Sequence, residues 1–512
     1  MKILRPLDAL EKNLLKLQLS NLYGCNVHFT VRYYWDELVN LQNSFLEINI
    51  SQILFPALER VISKTPHLCI SIKDAKTSSP QFVVLSEIDF SRVIKFVSIS
   101  SNEEFVNISE KELVKEFDLD DITKPYWRIT VGTNNSTSCE DSKKQLDFNF
   151  CIMFTCNHII GDALSSMAFQ ATLMEAMDKV FSQRETHSFK LKFTIDQSMV
   201  IENPLRFYGS IHQPENNYVK NNKHVISPVS ISWLNEIRQC NALNGITKIR
   251  YFSLFEKEFE PILLLAKTYG TTILAVLNML IFFSIRETIG HKLDSQILNV
   301  RVPCSLRERI TPKVSWREFG NFISSIPYEF NMNKISSIKL SDIDFKEQFW
   351  NLCQDYTLVI RSDLSILSER LSEQTNFMEN KNNTGENNAK NFNTIDKNVE
   401  DMNGEENVEN RDKTNEKQRS ISLIVSNLGK FPINSSNRKR SNLKVVGLNY
   451  SSGLFRSQPP AIIRINSISY YNILYMCVLY QDGSIFINCE QIDKFIDKFL
   501  EISKIIIKDN LF

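Results

Sequence analysis

Residues Phe148 to Thr155 are a nearly unbroken apolar run, followed within a few residues by Gly161 and then by a helical pattern from Leu164 to Val180. A run of that length, apolar on both faces, reads as a strand in the middle of a sheet that is covered on both sides. Strand, tight turn and helix in that order set the fold class as mixed α/β.

The rest of the chain agrees with this reading. Leu7, Leu10, Leu14 and Leu17 recur at helical spacing, and Val27 to Val31 then alternate as a strand does. Ile50 to Ile62 predicts a helix ended by Pro66, and Leu68 to Ile72 the next strand. Phe105 to Phe117 predicts a helix and Tyr126 to Val131 a strand. In the second half the pattern predicts helices at Pro261 to Tyr269, Thr272 to Ile285 and about Ile343 to Leu371. Strands are expected near Gln296 to Val302, Asn321 to Tyr328, Ser420 to Val425, Ala461 to Ile465 and Tyr475 to Tyr480. No period of 20 to 50 residues recurs, which excludes a solenoid or propeller.

At 512 residues the chain is long enough for two or three compact units. Two halves are expected, residues 1–182 and 229–512, joined by a polar, poorly periodic crossover at 183–228. From about Gln374 to Gln418 the composition turns to Asn, Glu, Lys and Asp, which cannot bury enough surface to offset chain entropy. That stretch is expected to be a disordered insertion in the C-terminal half, with a smaller polar loop at Asn134 to Gln145. Lys plus Arg and Asp plus Glu both number 59, so the basic footprint of a nucleic-acid binder is missing. The ten cysteines form no C-x-x-C pair and no zinc spacing, and they read as reduced thiols of a cytoplasmic protein. Ile273 to Ile285 is about thirteen residues long, short of the roughly 20 a bilayer span needs.

Seven histidines are candidates for proton chemistry, and six of them lie inside a strand, beside a proline or in polar loops. His158 stands at the exit of the apolar strand, in the string Cys156-Asn157-His158-Ile159-Ile160-Gly161-Asp162-Ala163-Leu164-Ser165. The carboxyl edge of a sheet is where α/β folds place their ligands, and an imidazole there can accept a proton near neutral pH. Asp162, four residues on, fits either a helix cap or a partner for a cation. Ser165 lacks the G-x-S-x-G elbow of an activated serine. No G-x-G-x-x-G, G-x-x-x-x-G-K-[ST] or H-E-x-x-H string appears, so dinucleotide redox, nucleotide hydrolysis and zinc proteolysis lack their minimal parts.

The H-x-x-x-D string after an apolar strand resembles the active-site motif of the coenzyme A-dependent acyltransferase superfamily, which includes chloramphenicol acetyltransferase and condensation domains. Arg5, Leu7, Glu11, Leu22-Tyr23, Val27 and Tyr34 resemble the opening of the yeast alcohol acetyltransferases. Ile53 to Leu68, Phe117-Asp118-Leu119 and Pro125-Tyr126-Trp127-Arg128 resemble the superfamily's elements before the motif. Val302-Pro303, Leu306-Arg307, Phe319-Gly320-Asn321-Phe322 and Val425-Ser426-Asn427-Leu428-Gly429 resemble those after it. Departures are Asn157, where many members have a second His, and Ala163, where they have Gly.

The resemblance implies two chloramphenicol acetyltransferase-like domains with a channel between them, and direct acetyl transfer from acetyl-CoA, a co-substrate, to an alcohol. It makes His158 the base, gives Asp162 and Arg307 a structural pairing, and puts Asn427 near the channel. No bound cofactor or metal is implied. Two other readings stand beside it: N-acetylation of an amphiphilic amine such as a sphingoid base, and an acyltransferase-shaped binding or scaffold protein without activity. The resemblance also implies peripheral contact of the termini with endoplasmic reticulum or lipid droplets, because Ile492, Phe495, Ile496, Phe499 and Leu500 form an apolar helix face that Ile505-Ile506-Ile507 and Leu511-Phe512 extend. Packing of both ends on the domain is the alternative, and a monomer is expected.

Overall fold

The computed structural model describes residues 2–19, 25–35, 43–134, 146–183, 191–196, 246–290, 297–309, 313–383, 421–432, 443–453, 461–482 and 487–508. In chain order these give β1 (Lys2–Pro6), α1 (Ala9–Leu19), β2 (Asn26–Trp35), α2 (Asn43–Ile62), β3 (Ile70–Lys73), β4 (Gln81–Val84), β5 (Glu87–Asp89), α3 (Phe90–Val93), β6 (Ile94–Ile99), α4 (Asn102–Val114), β7 (Trp127–Asn134), β8 (Phe150–Asn157), α5 (Ala163–Gln183) and β9 (Lys192–Thr194). There follow β10 (Ile246–Leu254), α6 (Glu256–Thr268), α7 (Ile273–Thr288), β11 (Ile297–Ser305), β12 (Ile323–Asn331), α8 (Asn333–Ser336), α9 (Phe345–Asn383), β13 (Ile421–Lys430), β14 (Leu443–Ser452), β15 (Ala461–Tyr470), β16 (Ile473–Asp482) and α10 (Cys489–Ile507).

Two sheets dominate. A five-stranded sheet runs β14-β2-β8-β7-β6 and a six-stranded sheet runs β10-β16-β15-β13-β11-β12, while β1-β4-β3 and β5-β9 form small ones. Both large sheets mix parallel and antiparallel pairs, as in β6 with β7 and β7 with β8. The apolar run becomes β8, whose eight residues are all buried between β2 and β7. One face of its sheet, with Val27, Phe29, Ile152 and Phe154, shares a core with Leu54 and Leu58 of α2 and Phe169 and Leu173 of α5. The six-stranded sheet builds a second core, in which Leu423, Val425, Ile463 and Ile465 meet α7, α9 and α10. Contiguous apolar burial of this kind is the main favourable term in folding.

β14, far along the chain, pairs antiparallel with β2 and completes the five-stranded sheet, so the two sheets do not divide at one point of the sequence. Both α7 and α10 begin with side-chain caps: Thr272 accepts from the Ala275 amide at 3.2 Å, and Asn488 and Gln491 form a capping box. Residues 275–285 of α7 are buried in the core. No single helix among the described residues is long and apolar enough to cross a membrane.

Two expectations are corrected. The segment from Gln374 does not begin as a loop: α9 continues to Asn383, from a base anchored in the core by Phe349, Trp350 and Tyr356. The remainder, 384–418, lies outside the described residues, as do most of the 183–228 crossover and residues 135–145. The triple isoleucine is not surplus apolar surface: Ile506 and Ile507 are buried with Ile492, Phe495, Phe499 and Ile502, and Ile505 is partly buried against the same core. At the other end Leu7 and Leu14 are buried, whereas Ile3 is exposed. Leu511 and Phe512 lie outside the described residues.

Candidate active site

β8 delivers Asn157 and then His158 into a tight turn. The Asn157 Oδ1 accepts the Ile159 amide at 2.9 Å, and its Nδ2 donates to Gln18 Oε1 at 2.8 Å. Asparagine at this position therefore shapes the turn with its own side chain, an Asx-type arrangement. The His158 amide donates to the Cys25 carbonyl at 2.6 Å, which ties the turn to the start of β2.

Residues 319–322, from the other half of the chain, close over this turn. Asn321 donates its Nδ2 to the His158 carbonyl and, at 3.1 Å, to that of Ile159. With the amide nitrogen committed to two carbonyls, Oδ1 is the atom 3.1 Å from His158 Nδ1. An oxygen there can only accept, so Nδ1 carries the proton and Nε2 carries the lone pair. Burial holds the His158 pKa below its usual range, against the opposing pull of the Asp162 carboxylate, and the ring is neutral at physiological pH.

Asp162 is fully buried and does two jobs. Its Oδ1 accepts the Ser165 amide at 2.8 Å and so caps α5. The same carboxylate receives Arg307 Nη1 at 2.7 Å and Nη2 at 3.0 Å, as well as the Phe322 amide at 3.0 Å. Burial alone would raise this carboxyl's pKa. The Arg307 charge, its hydrogen bonds and the two amides outweigh that and hold it below the usual carboxylate range. Arg307 is itself buried, lies over the Phe322 ring at 4.6 Å, and donates to the Glu318 carbonyl at 3.1 Å.

Ser165 is consumed by this network. Its hydroxyl lies 2.8 Å from Asp162 Oδ1 and 2.7 Å from the Gly320 carbonyl, and it accepts from the Gly320 amide at 3.0 Å and Arg307 at 3.1 Å. Two glycines make the close approach possible. A Cβ on Gly161 would sit 2.4 Å from the Phe319 ring, and Gly320 has φ +151° with the Phe322 ring 2.8 Å from where its Cβ would be.

The structure thus brings His158, Asp162 and Arg307 together and does not bring Asn427 to them. Asn427 Oδ1 accepts the Gly429 amide at 3.0 Å, in a local turn where Gly429 has φ +76°. Strand alternation is the reason: Val425 faces the helices, and it is Ser426, not Asn427, that reaches across to Tyr450 Oη at 3.5 Å. Asn321 is a residue of the candidate site that sequence reasoning left without a role, although its Phe-Gly-Asn-Phe segment stood out. Its pairing with His158 spans 163 residues and has no local signature. Among the described residues no group of three or more His, Cys, Asp and Glu is placed to hold a metal.

A family model for alcohol acetyltransferases matches residues 38–448. The chain belongs to the alcohol acetyltransferase family. Among curated proteins, this acetyltransferase-family chain is similar to the probable alcohol acetyltransferase FCK4 of Fusarium pseudograminearum (strain CS3096), at 25% identity over 135 residues. That match covers 26% of either protein, so it spans about a quarter of the relative's length. The family member's fold is similar to that of TRI3 trichothecene 15-O-acetyltransferase from Fusarium sporotrichioides, with a TM-score of 0.62 at 13% identity over 98% of this chain and 94% of that one. It is also similar to the first condensation domain of the calcium-dependent antibiotic synthetase, with a TM-score of 0.54 at 11% identity over 99% and 96%. The mixed α/β acyltransferase architecture expected from the sequence is therefore the one this family member has.

Proposed function

We propose that the protein transfers the acetyl group of acetyl-CoA to the hydroxyl of a small or medium-chain alcohol, with His158 as general base. The observation that carries this reading is the Asn321 grip on Nδ1, which leaves a neutral imidazole with its lone pair on Nε2. Nε2 takes the proton of the acceptor hydroxyl as its oxygen attacks the thioester carbonyl. The tetrahedral intermediate collapses with cleavage of the carbon–sulfur bond, and the departing thiolate recovers the proton from the imidazolium as free CoA. A thioester is already activated, so one positioned base is a sufficient proton carrier.

Transfer is direct in this scheme. The Ser165 hydroxyl is held among Asp162, Arg307 and Gly320, which supports a ternary complex over an acyl-serine. Asp162 and Arg307 act by holding the turn and the 319–322 segment against each other. Family membership supports an oxygen acceptor, as does the likeness in fold to TRI3, an O-acetyltransferase.

The test is release of CoA thiol by purified protein supplied with acetyl-CoA and a panel of alcohols and amines. Alcohol-dependent release is expected, and His158→Ala should lower it by about 10²- to 10⁴-fold with the fold retained. Wild-type turnover by that variant removes His158 as the base, and release with amines alone removes the alcohol.

A further inference from the structure

The helix α1 reaches the His158 turn at two points. Cys25, whose carbonyl accepts the His158 amide at 2.6 Å, donates its thiol to the Leu14 carbonyl at 3.3 Å. Gln18, one helical turn beyond Leu14, accepts from Asn157 Nδ2 at its Oε1, 2.8 Å away. Gln18 is 5% exposed and shares its side of the helix with the buried Leu14 and Leu15, and Asn157 is fully buried. A buried amide side chain is costly unless its donor and its acceptor are both satisfied, and for Gln18 and Asn157 both are.

Each amide in this row can face only one way. The Phe117 carbonyl can only accept, and Gln18 gives it Nε2 at 3.4 Å, which turns Oε1 toward Asn157. Oε1 can only accept in its turn, so Asn157 gives it Nδ2, which leaves Oδ1 to accept the Ile159 amide at 2.9 Å. Reversing either side chain would set donor against donor and acceptor against acceptor. The row therefore runs from a fixed carbonyl to a fixed N–H. At its end every polar backbone group of His158 and Ile159 is tied: the His158 amide to Cys25, both carbonyls to Asn321, and the Ile159 amide to Asn157.

We propose that Gln18 is a positioning residue for the transfer reaction: by holding the Asn157 amide it fixes the turn from which His158 presents Nε2. The inference rests on the reading of His158 as the base. Gln18 acts through Asn157 and carries no proton in the reaction. A base displaced by about 1 Å can lose about 10²-fold in rate, so the expected signature is a fall in kcat with substrate binding preserved.

The experiment measures kcat and KM with acetyl-CoA and an alcohol. Gln18→Leu removes both polar atoms at similar volume and should lower kcat about 10-fold, with both KM values within about twofold of wild type. Gln18→Glu should recover most of that loss, because a carboxyl group in either protonation state can accept from Asn157 Nδ2. In an Asn157→Ala background Gln18→Leu should lower kcat no further, since the side chain through which it acts is gone. An unchanged kcat in Gln18→Leu, a raised KM in place of a lowered kcat, no recovery with Gln18→Glu, or an equal loss in the two backgrounds overturns the assignment. Should Gln18→Leu not fold, Gln18→Met, which keeps the length of the side chain, takes its place: a kcat about 10-fold down supports the proposal, and a wild-type kcat overturns it. His158→Ala separates the two levels. Wild-type turnover by His158→Ala overturns the base and Gln18 with it, whereas lost turnover in His158→Ala beside an unaffected Gln18→Leu overturns the role of Gln18 alone.

Discussion

Asn321 holds His158 at two points, with Oδ1 3.1 Å from the ring Nδ1 and Nδ2 bonded to the histidine's own carbonyl. One side chain thereby sets both the tautomer of the imidazole and the place of the backbone that bears it. Asn321→Ala should lower kcat about 10- to 100-fold, less than loss of the base itself. Asn321→Asp puts a carboxylate against Nδ1, which favours the imidazolium and should move the acid limb of the kcat–pH profile to higher pH. An unmoved limb in that variant, measured between about pH 5 and pH 8, would detach Asn321 from the histidine's ionisation.

The Asp162–Arg307 pair joins two parts of the chain that are 145 residues apart, and both partners are buried. Removing one partner strands the other, so Asp162→Asn and Arg307→Met should each cost about 3–5 kcal/mol in denaturant unfolding. The double variant should lose clearly less than the sum, because the uncompensated charge is gone. Strict additivity would show that the two residues are not energetically coupled.

His28 gives the protein a pH dependence separate from the reaction. It is fully buried between Thr155 Oγ1 at 2.8 Å and Thr30 Oγ1 at 3.1 Å, and burial lowers its pKa to about 4. The unfolded chain takes up a proton near pH 6.5 that the folded chain refuses until about pH 4. This stability is complete above about pH 6.5 and falls as the pH is lowered, by roughly 2 kcal/mol at pH 5. His28→Gln should be less stable at neutral pH and should lose one proton's worth of the slope between pH 5 and pH 6.5. A slope equal to wild type would show that His28 does not titrate in this window.

The elements that periodicity reveals were legible in the sequence, because burial against one sheet imposes periods of 2 and 3.6 on side chains. β8, α5, α7 and β15 all lie where the pattern puts them. His158 was legible because it ends a buried strand. Asn321 was not, since nothing near it announces a partner 163 residues away. The setting of Asn427 was not legible for a related reason: only the register of β13 with β15 pairs it with Ser467. β14 was invisible to local patterning as well. Leu443 to Ser452 contains Lys444, Gly447, Asn449 and three serine or tyrosine residues, and only its pairing with β2 makes it a buried strand.

That pairing bears on how the protein is made. β2 emerges from the ribosome with one side open, and the strand that covers it follows about 400 residues later. At ordinary translation rates of about 5–20 residues per second, β2 waits roughly 20–80 s for β14. Until then a long, largely apolar strand has an unpaired edge, the feature through which nascent chains pair with each other. The fold therefore defers completion of its five-stranded sheet until about 400 residues after β2, and the yield of active protein should depend on whatever shields that edge in the meantime.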